Sequence, residues 1–193
     1  GIIGEDDQIA RFLTVGVTEE EIARIGPYTK GRGILGELIM HPQPLRLHGE
    51  DIAPLRVLAD GQSVSFRAEQ GALVIDNPPA GDATGGFTLE IRNTCAPEKN
   101  TQLSGLYTSG GGFFTQCEAE GFRRITYFLD RPDVMAVYTV TLRASKSRYP
   151  VLLSNGNLVE QGDLDNGRHF AKWHDPFPKP SYLFALVAAD LVA

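Results

Sequence analysis

Residues 55–66, LRVLADGQSVSF, indicate the fold of this chain most directly. Two β-prone runs, at 55–58 and 64–66, flank the dipeptide Asp60-Gly61. An Asp-Gly pair between such runs favours a two-residue turn, because both turn residues adopt the left-handed conformation that joins antiparallel strands. The stretch therefore predicts a β-hairpin.

The same pattern of short β-prone runs separated by turn signals continues from this hairpin to the C-terminus. Residues 136–144, AVYTVTLRA, alternate between two faces with the period of a strand. Asn155-Gly156 supplies a second strong turn signal. Further short strands are predicted at residues 73–75, 87–91, 151–153, 158–160, 168–173 and 182–187. From residue 45 onward we expect a mainly β chain, arranged as an antiparallel β sandwich or saddle.

Residues 1–44 have a different, mixed pattern. Thr18 followed by Glu21 fits a capping box, and Gly26-Pro27 would end the helix that it starts. A second short helix is predicted from about residue 34 to 40, where the prolines that follow would stop it. The sequence therefore predicts a short α/β segment before the β region.

Composition excludes several classes of protein. Of the 193 residues, 42% are hydrophobic and 22% charged, which is typical of a globular protein. The net charge is −6 and no basic patch occurs, so we expect no nucleic acid partner. The longest apolar run, residues 183–189, is too short for a membrane helix, and the N-terminus does not resemble a signal peptide. Two cysteines, Cys95 and Cys117, form no disulfide framework, which favours a reducing cytoplasm.

Four motifs that could carry chemistry have simpler interpretations. Residues 31–36, GRGILG, match a dinucleotide-binding spelling, but no buried strand precedes them. Residues 163–167, DLDNG, resemble a calcium loop that has His174 where a bidentate Glu is needed, so a turn is expected. His169 and His174 do not have a recognised metal-ligand spacing. Ser109 lies among glycines, which predicts a turn. We therefore expect no metal site in this chain.

The richest stretch in chemical groups is residues 108–134, TSGGGFFTQCEAEGFRRITYFLDRPDV. Glu118 and Glu120 lie beside Gln116, and Arg123 and Arg124 follow them. A carboxylate near an amide can bind an ammonium group through charge-assisted hydrogen bonds. Mixed acids and bases also make an ordinary solvated surface, so the residues alone leave both interpretations open.

Four blocks of sequence identify a family resemblance. They are LHGEDI from residue 47, the long block that runs from residue 100 through TQCEAEGFRRIT and DRPDVMA to residue 144, YPVLLSNGN from 149, and WHDPFPKPSYLFALVA from 173. Together they resemble the N-terminal domain of the bacterial aminopeptidase N family, zinc metallopeptidases of the gluzincin class. The resemblance implies a mostly β saddle or sandwich that packs beside a catalytic domain and completes its substrate pocket.

The same resemblance assigns roles to two residues. Gln116 falls at the position that lines the pocket for the first side chain of the substrate. Glu118 falls at the position that binds the free α-ammonium group. The partners that the resemblance implies are therefore peptide N-termini and the catalytic domain of the parent aminopeptidase.

The residues that perform the family's chemistry are absent from this sequence. The zinc site of the family uses an H-E-x-x-H helix, and none of the four histidines is followed by Glu: His41, His48, His169 and His174. The G-A-M-E-N motif is absent as well. We therefore expect a fragment of a zinc aminopeptidase with no catalytic residue and no cofactor of its own, inactive alone.

Residues 1–44 depart from that family and resemble part of a GAF sensor domain. The natural junction is residues 44–48, PLRLH, which gives a GAF-like segment at 1–44 and a β domain at 45–193. The alternative function is a non-enzymatic chimera in which a small-molecule sensor segment is fused to a β domain. A second copy of the chain would cover strand edges left exposed by such a join, so a homo-oligomer stays open.

Overall fold

The computed structural model describes residues 2–3, 9–11, 44–79 and 86–191. These residues are mostly antiparallel β, which confirms the predicted fold class. The strands are β1 Ile2–Ile3, β2 Ile9–Arg11, β3 Leu45–His48, β4 Ala53–Ala59, β5 Gln62–Ser63, β6 Phe66–Glu69, β7 Ala72–Ile75, β8 Leu89–Thr94, β9 Gly105–Ser109, β10 Gly112–Gln116, β11 Ala136–Ser145, β12 Val151–Ser154, β13 Asn157–Leu164, β14 Arg168–Lys179 and β15 Leu186–Ala189. Short 3₁₀ turns occupy Pro97–Lys99, Phe122–Arg124 and Ser181–Leu183.

The chain divides into two compact units. One contains the described residues of Gly1–Leu45, Arg56–Arg67 and Val74–Glu90, and the other contains those of Arg46–Leu55, Ala68–Leu73 and Ile91–Ala193. The strand orders within the sheets are β1-β2, β3-β7-β6, β5-β4-β8, β11-β14-β13 and β12-β15-β10-β9. The last two sheets lie in the second unit, which also contains the TQCEAE motif.

The hairpin predicted at Asp60-Gly61 is confirmed. β4 pairs with β5 through Leu58 opposite Ser63, and Asp60 and Gly61 have φ angles of 49° and 77°. Two successive left-handed residues make the turn whose twist matches that of antiparallel strands. The predicted second run, 64–66, was wrong: the strand that returns along β4 is β5 at Gln62–Ser63, and Phe66 begins β6 in another sheet.

The turn predicted at Asn155-Gly156 is present, but it does not join paired strands. Gly156 adopts φ of 87°, as a turn requires, but β12 before it and β13 after it lie in different sheets. A Cβ at Gly156 would lie 2.3 Å from the carbonyl oxygen of His174, so the crossing is also too close for a side chain. The dipeptide thus moves the chain from one sheet to the next without joining paired strands.

Strands β11, β13 and β14 of the second unit pair in long ladders, each with one register shift. β14 pairs with β11 from Ser145 opposite Arg168 onward, and β13 pairs with β14 from Leu164 opposite Arg168. The predicted turn at 163–167 is confirmed between β13 and β14, where Asn166 and Gly167 have positive φ. β15 begins later than the predicted 182–187 strand, because a 3₁₀ turn occupies Ser181–Leu183.

Aromatic rings form the part of the core that lies beneath the TQCEAE motif. The ring of Phe122 meets Phe184 and Phe128 edge-on, at centroid distances of 4.9 Å and 5.1 Å, and Tyr138 at 6.1 Å. The side chain of Cys117 is buried in the same cluster. This packing fixes the chain on both sides of residues 118–121.

The predicted helices at residues 18–26 and 34–40 and the GAF-like resemblance lie outside the described residues, apart from β1, β2 and residue 44. They remain predictions. No helix in the described part of the chain is long and apolar enough to cross a membrane.

Phe122→Ala is expected to lower the free energy of unfolding by about 3 to 5 kcal/mol, because it empties the centre of this cluster. Urea unfolding followed by tryptophan fluorescence would measure the loss. Phe177→Ala is the control, since that ring is 76% exposed and its removal should change stability by less than about 0.5 kcal/mol. Equal losses in the two variants would contradict the assignment of Phe122 to the core.

Candidate functional site

The residues predicted to bind substrate lie in a tight turn at the end of β10. Gln116 is the last residue of that strand, and the chain then turns through residues 117–121. The turn is closed by a hydrogen bond of 2.8 Å from the amide of Gly121 to the carbonyl oxygen of Cys117. Gln116 and Glu118 are both exposed, whereas Cys117 between them is buried. We refer to residues 116–121 as the recognition turn.

A glycine is required where the recognition turn closes. A Cβ on Gly121 would lie 2.4 Å from the carbonyl oxygen of Gln116 and 2.8 Å from the amide nitrogen of Gly105. Both neighbours are backbone atoms, so a side chain could be accommodated only if strands moved. The close approach brings the end of the turn against the start of β9.

Thr115 fixes the other end of the turn to the sheet. Its hydroxyl oxygen accepts a hydrogen bond of 2.9 Å from the amide of Leu186 and donates to the carbonyl oxygen of Leu186 at 3.3 Å. β10 also pairs with β9 from Gln116 opposite Gly105 onward. The recognition turn therefore starts from a strand that is held on both edges.

The two carboxylates of the motif have different surroundings. Glu120 lies 3.3 Å from the guanidinium of Arg123 and forms an ion pair with it. Among the described residues, none forms a hydrogen bond or ion pair with the Glu118 carboxylate. The amide of Gln116 points toward the same residue and lies 3.5 Å from the Glu118 backbone oxygen. Of the two carboxylates, Glu118 is therefore the one without a partner among the described residues. The Glu118–Ala119 peptide bond is cis.

Beneath the turn lies a buried polar network centred on Asp130, which is only 3% exposed. One carboxylate oxygen accepts hydrogen bonds from the amide and the Nε of Arg123, at 3.1 Å and 2.9 Å. The other oxygen accepts a hydrogen bond from the hydroxyl of Ser181, and Arg123 Nη2 donates to the Asp130 backbone oxygen at 2.8 Å. Sequence analysis did not identify Asp130 or Ser181.

Arg124 takes part in a separate arrangement. Its guanidinium forms ion pairs with Glu50, at 2.7 Å, and with Asp51. It lines a cavity of about 240 Å³ together with residues of the loop before β9. Neither Gln116 nor Glu118 lines this cavity, which the sequence analysis did not predict.

The histidines considered as metal ligands are engaged in local hydrogen bonds. His169 Nε2 lies 2.7 Å from the backbone oxygen of Tyr149, and His174 Nδ1 lies 2.9 Å from the hydroxyl of Thr139. In the described ranges, no group of three or more His, Cys, Asp or Glu side chains could hold a metal ion.

Asp163 pairs with Lys146, and the hydrogen bond from Lys146 lowers the pKa of the Asp163 carboxyl.

Burial raises the pKa of two acidic groups next to the Asp130 network, the thiol of Cys117 and the phenol of Tyr138. Burial, together with the Asp130 carboxylate, raises the pKa of the Cys117 thiol to about 12. The same two causes, with a smaller contribution from Cys117, raise the pKa of Tyr138 to about 12. The hydroxyl of Tyr138 is buried and has no hydrogen-bond partner among the described residues. The thiol in the recognition turn is therefore a packing group, protonated at neutral pH.

The chain is similar to aminopeptidases both in sequence and in structure. The family model of the peptidase M1 N-terminal domain matches residues 37–183. The aminopeptidase N of Escherichia coli (strain K12) is 57% identical over 148 residues, which make up 76% of this chain and 16% of that protein. The crystal structure of Legionella pneumophila aminopeptidase A in complex with aspartic acid has a TM-score of 0.73 and 39% identity, over 79% of this chain and 18% of that chain.

A more distant structure shares the fold. The M1 zinc metallopeptidase from Deinococcus radiodurans has a TM-score of 0.66 at 18% identity, over 76% of this chain and 34% of that chain. The present chain spans less than a fifth of the length of the Escherichia coli and Legionella proteins.

The raised pKa values predict how stability depends on pH. The unfolded thiol and phenol release their protons near pH 9 and 10, whereas the folded chain holds them to about 12. The unfolded state therefore binds fewer protons in this interval, and the free energy of unfolding should fall as pH rises from 9 toward 12.

Urea unfolding at pH 7 to 11 would measure this fall. Tyr138→Phe removes a hydroxyl that lacks a partner, so it should cost little at pH 7 and make the alkaline fall shallower. Cys117→Ala should reduce the fall as well. Alkaline slopes equal to that of the parent chain in both variants would contradict the burial of these groups.

Proposed function

Because the chain belongs to the peptidase M1 family and contains its N-terminal domain, we propose that it recognises the free amino terminus of a peptide for a zinc aminopeptidase. In this proposal Glu118 binds the α-ammonium group of the substrate, and Gln116 borders the pocket for its first side chain. The proposal is supported by the carboxylate of Glu118, which has no partner among the described residues and lies in a turn that is anchored at both ends.

The physical basis is the charge of a peptide end. An α-amino group has a pKa of about 8 and is largely cationic at neutral pH, whereas an internal amide nitrogen carries no charge. A carboxylate without a partner in the described part of the chain can therefore distinguish a chain end from an internal peptide bond. Glu118 fits this role better than Glu120, because the Glu120 carboxylate already pairs with Arg123.

In the proposal, Gln116 acts beside Glu118. It ends β10, so its backbone is fixed by the ladder with β9, and its side chain turns toward residue 118. An amide can both donate and accept hydrogen bonds, which suits a residue at the border of a side-chain pocket. We assign it to the pocket for the first residue of the substrate.

Zinc and the hydrolytic step belong to another part of the enzyme in this proposal. The sequence contains no H-E-x-x-H motif, and the described residues do not bring three potential ligands together. The residues that the structure describes thus do not fit a zinc ion. We propose that this domain completes the substrate pocket of a zinc-bearing catalytic domain, and that the protein acts in the cytoplasm, where its free cysteines stay reduced.

Glu118→Gln is expected to lower kcat/KM about tenfold to a hundredfold, because a hydrogen bond to a charged group contributes about 1.5 to 3 kcal/mol. The measurement uses a hybrid in which this domain replaces the matching segment of the Escherichia coli enzyme, with an amino-acid anilide as substrate. The neutral amide of Gln keeps the size of the side chain and removes its charge.

Glu120→Gln in the same hybrid is the matched control. The Glu120 side chain is 70% exposed, and exposed ion pairs contribute about 0 to 1 kcal/mol, so the change in kcat/KM should stay below about fivefold. Equal small losses at the two positions would show that Glu118 does not bind the α-ammonium group.

A further inference from the structure

The Glu118 carboxylate has no described partner that would hold it, so its position depends on the backbone of the recognition turn. The contact from Gln116 to this residue reaches its backbone oxygen and is long, at 3.5 Å. A ligand that must meet the carboxylate in a defined geometry therefore depends on whatever fixes residues 117–121.

On the β10 side, the turn is held by strand pairing and by Thr115. On the other side it runs directly into the 3₁₀ turn Phe122–Arg124. Arg123 in that turn is bound to Asp130 through both its amide and its side chain. This second anchor is therefore a side-chain network, and single substitutions can test it.

Arg123 connects the buried network to the recognition turn, because it lies in the 3₁₀ turn that follows residue 121 and its guanidinium bonds Asp130. Its side chain is 16% exposed, and its Nη2 lies 2.8 Å from the Asp130 backbone oxygen and 3.3 Å from a carboxylate oxygen of Glu120. The buried Asp130 carboxylate also offsets its positive charge, which would otherwise oppose an ammonium group bound nearby. Arg123 thus meets the requirements for holding the turn without repelling the ligand.

We propose that Arg123 is a positioning residue for substrate capture: fixed by Asp130 and Ser181, it sets the place of the Glu118 carboxylate without touching the substrate. The inference rests on the proposed role of Glu118. It assigns a functional part to the Asp130 network, which would otherwise be regarded only as a stabilising element of the core.

Arg123→Lys keeps the charge and the aliphatic stem but loses the planar fork that bonds Asp130 in two directions. In the hybrid enzyme it should lower kcat/KM about tenfold, since small displacements of a binding group are costly. Arg131→Lys is the matched control, because Arg131 makes a similar fork with Asp133 on the exposed surface, at 3.0 Å and 2.8 Å. That variant should leave kcat/KM unchanged.

A double-variant cycle separates positioning from general destabilisation. If Arg123 acts through Glu118, Arg123→Lys should cause less than about a twofold further loss once Glu118→Gln is present. Multiplying losses would overturn the inference while leaving the proposed function of Glu118 intact. No loss in Glu118→Gln alone would instead refute the proposed function.

A second measurement needs only the 193-residue chain. In ¹H–¹⁵N spectra, Arg123→Lys should shift the amide signals of the recognition turn, whereas Arg131→Lys should not. Ser181→Ala should shift the same signals to a smaller extent, because it removes one donor from Asp130. Unchanged turn signals in Arg123→Lys would overturn the inference whether or not the hybrid is active.

Discussion

The buried carboxylate of Asp130 is the constraint on which the candidate site depends. A carboxylate removed from water costs several kcal/mol unless donors replace its hydration, and here the donors come from Arg123 and Ser181. These residues lie on either side of Asp130 in sequence, beside the aromatic rings of Phe122 and Phe184. Satisfying one polar group therefore also brings together the two segments that supply the apolar cluster.

Local signals in the sequence were sufficient to predict the hairpin at Asp60-Gly61 and the alternating strand β11. They were not sufficient for β9 and β10, whose glycines lower strand propensity and whose stability comes from pairing with each other and with β15. Asn155-Gly156 shows the same limit. A turn dipeptide specifies a local bend, but which strands pair afterward is decided by distant residues.

For the candidate site too, local features could be predicted from the sequence and contacts between distant residues could not. The motif at residues 115–120 could be identified from its residue types and its family resemblance, but the sequence could not show which of its two carboxylates is paired. Arg123, three residues after Glu120, makes that distinction in space. The hydrogen bond between Ser181 and Asp130 spans 51 residues and has no local signature. Contacts of that kind become visible only when the chain is folded.

The place of β15 has a consequence for synthesis on the ribosome. Among the described strands it comes last in sequence, yet it lies inside its sheet, bonded to β10 and β12. The β9–β10 hairpin can form while the chain is still emerging, but β12 has no neighbour in that sheet until β15 arrives. The bonds from Leu186 to Thr115 form at that moment as well. A nascent domain therefore acquires a fully anchored recognition turn only once β15 has left the exit tunnel.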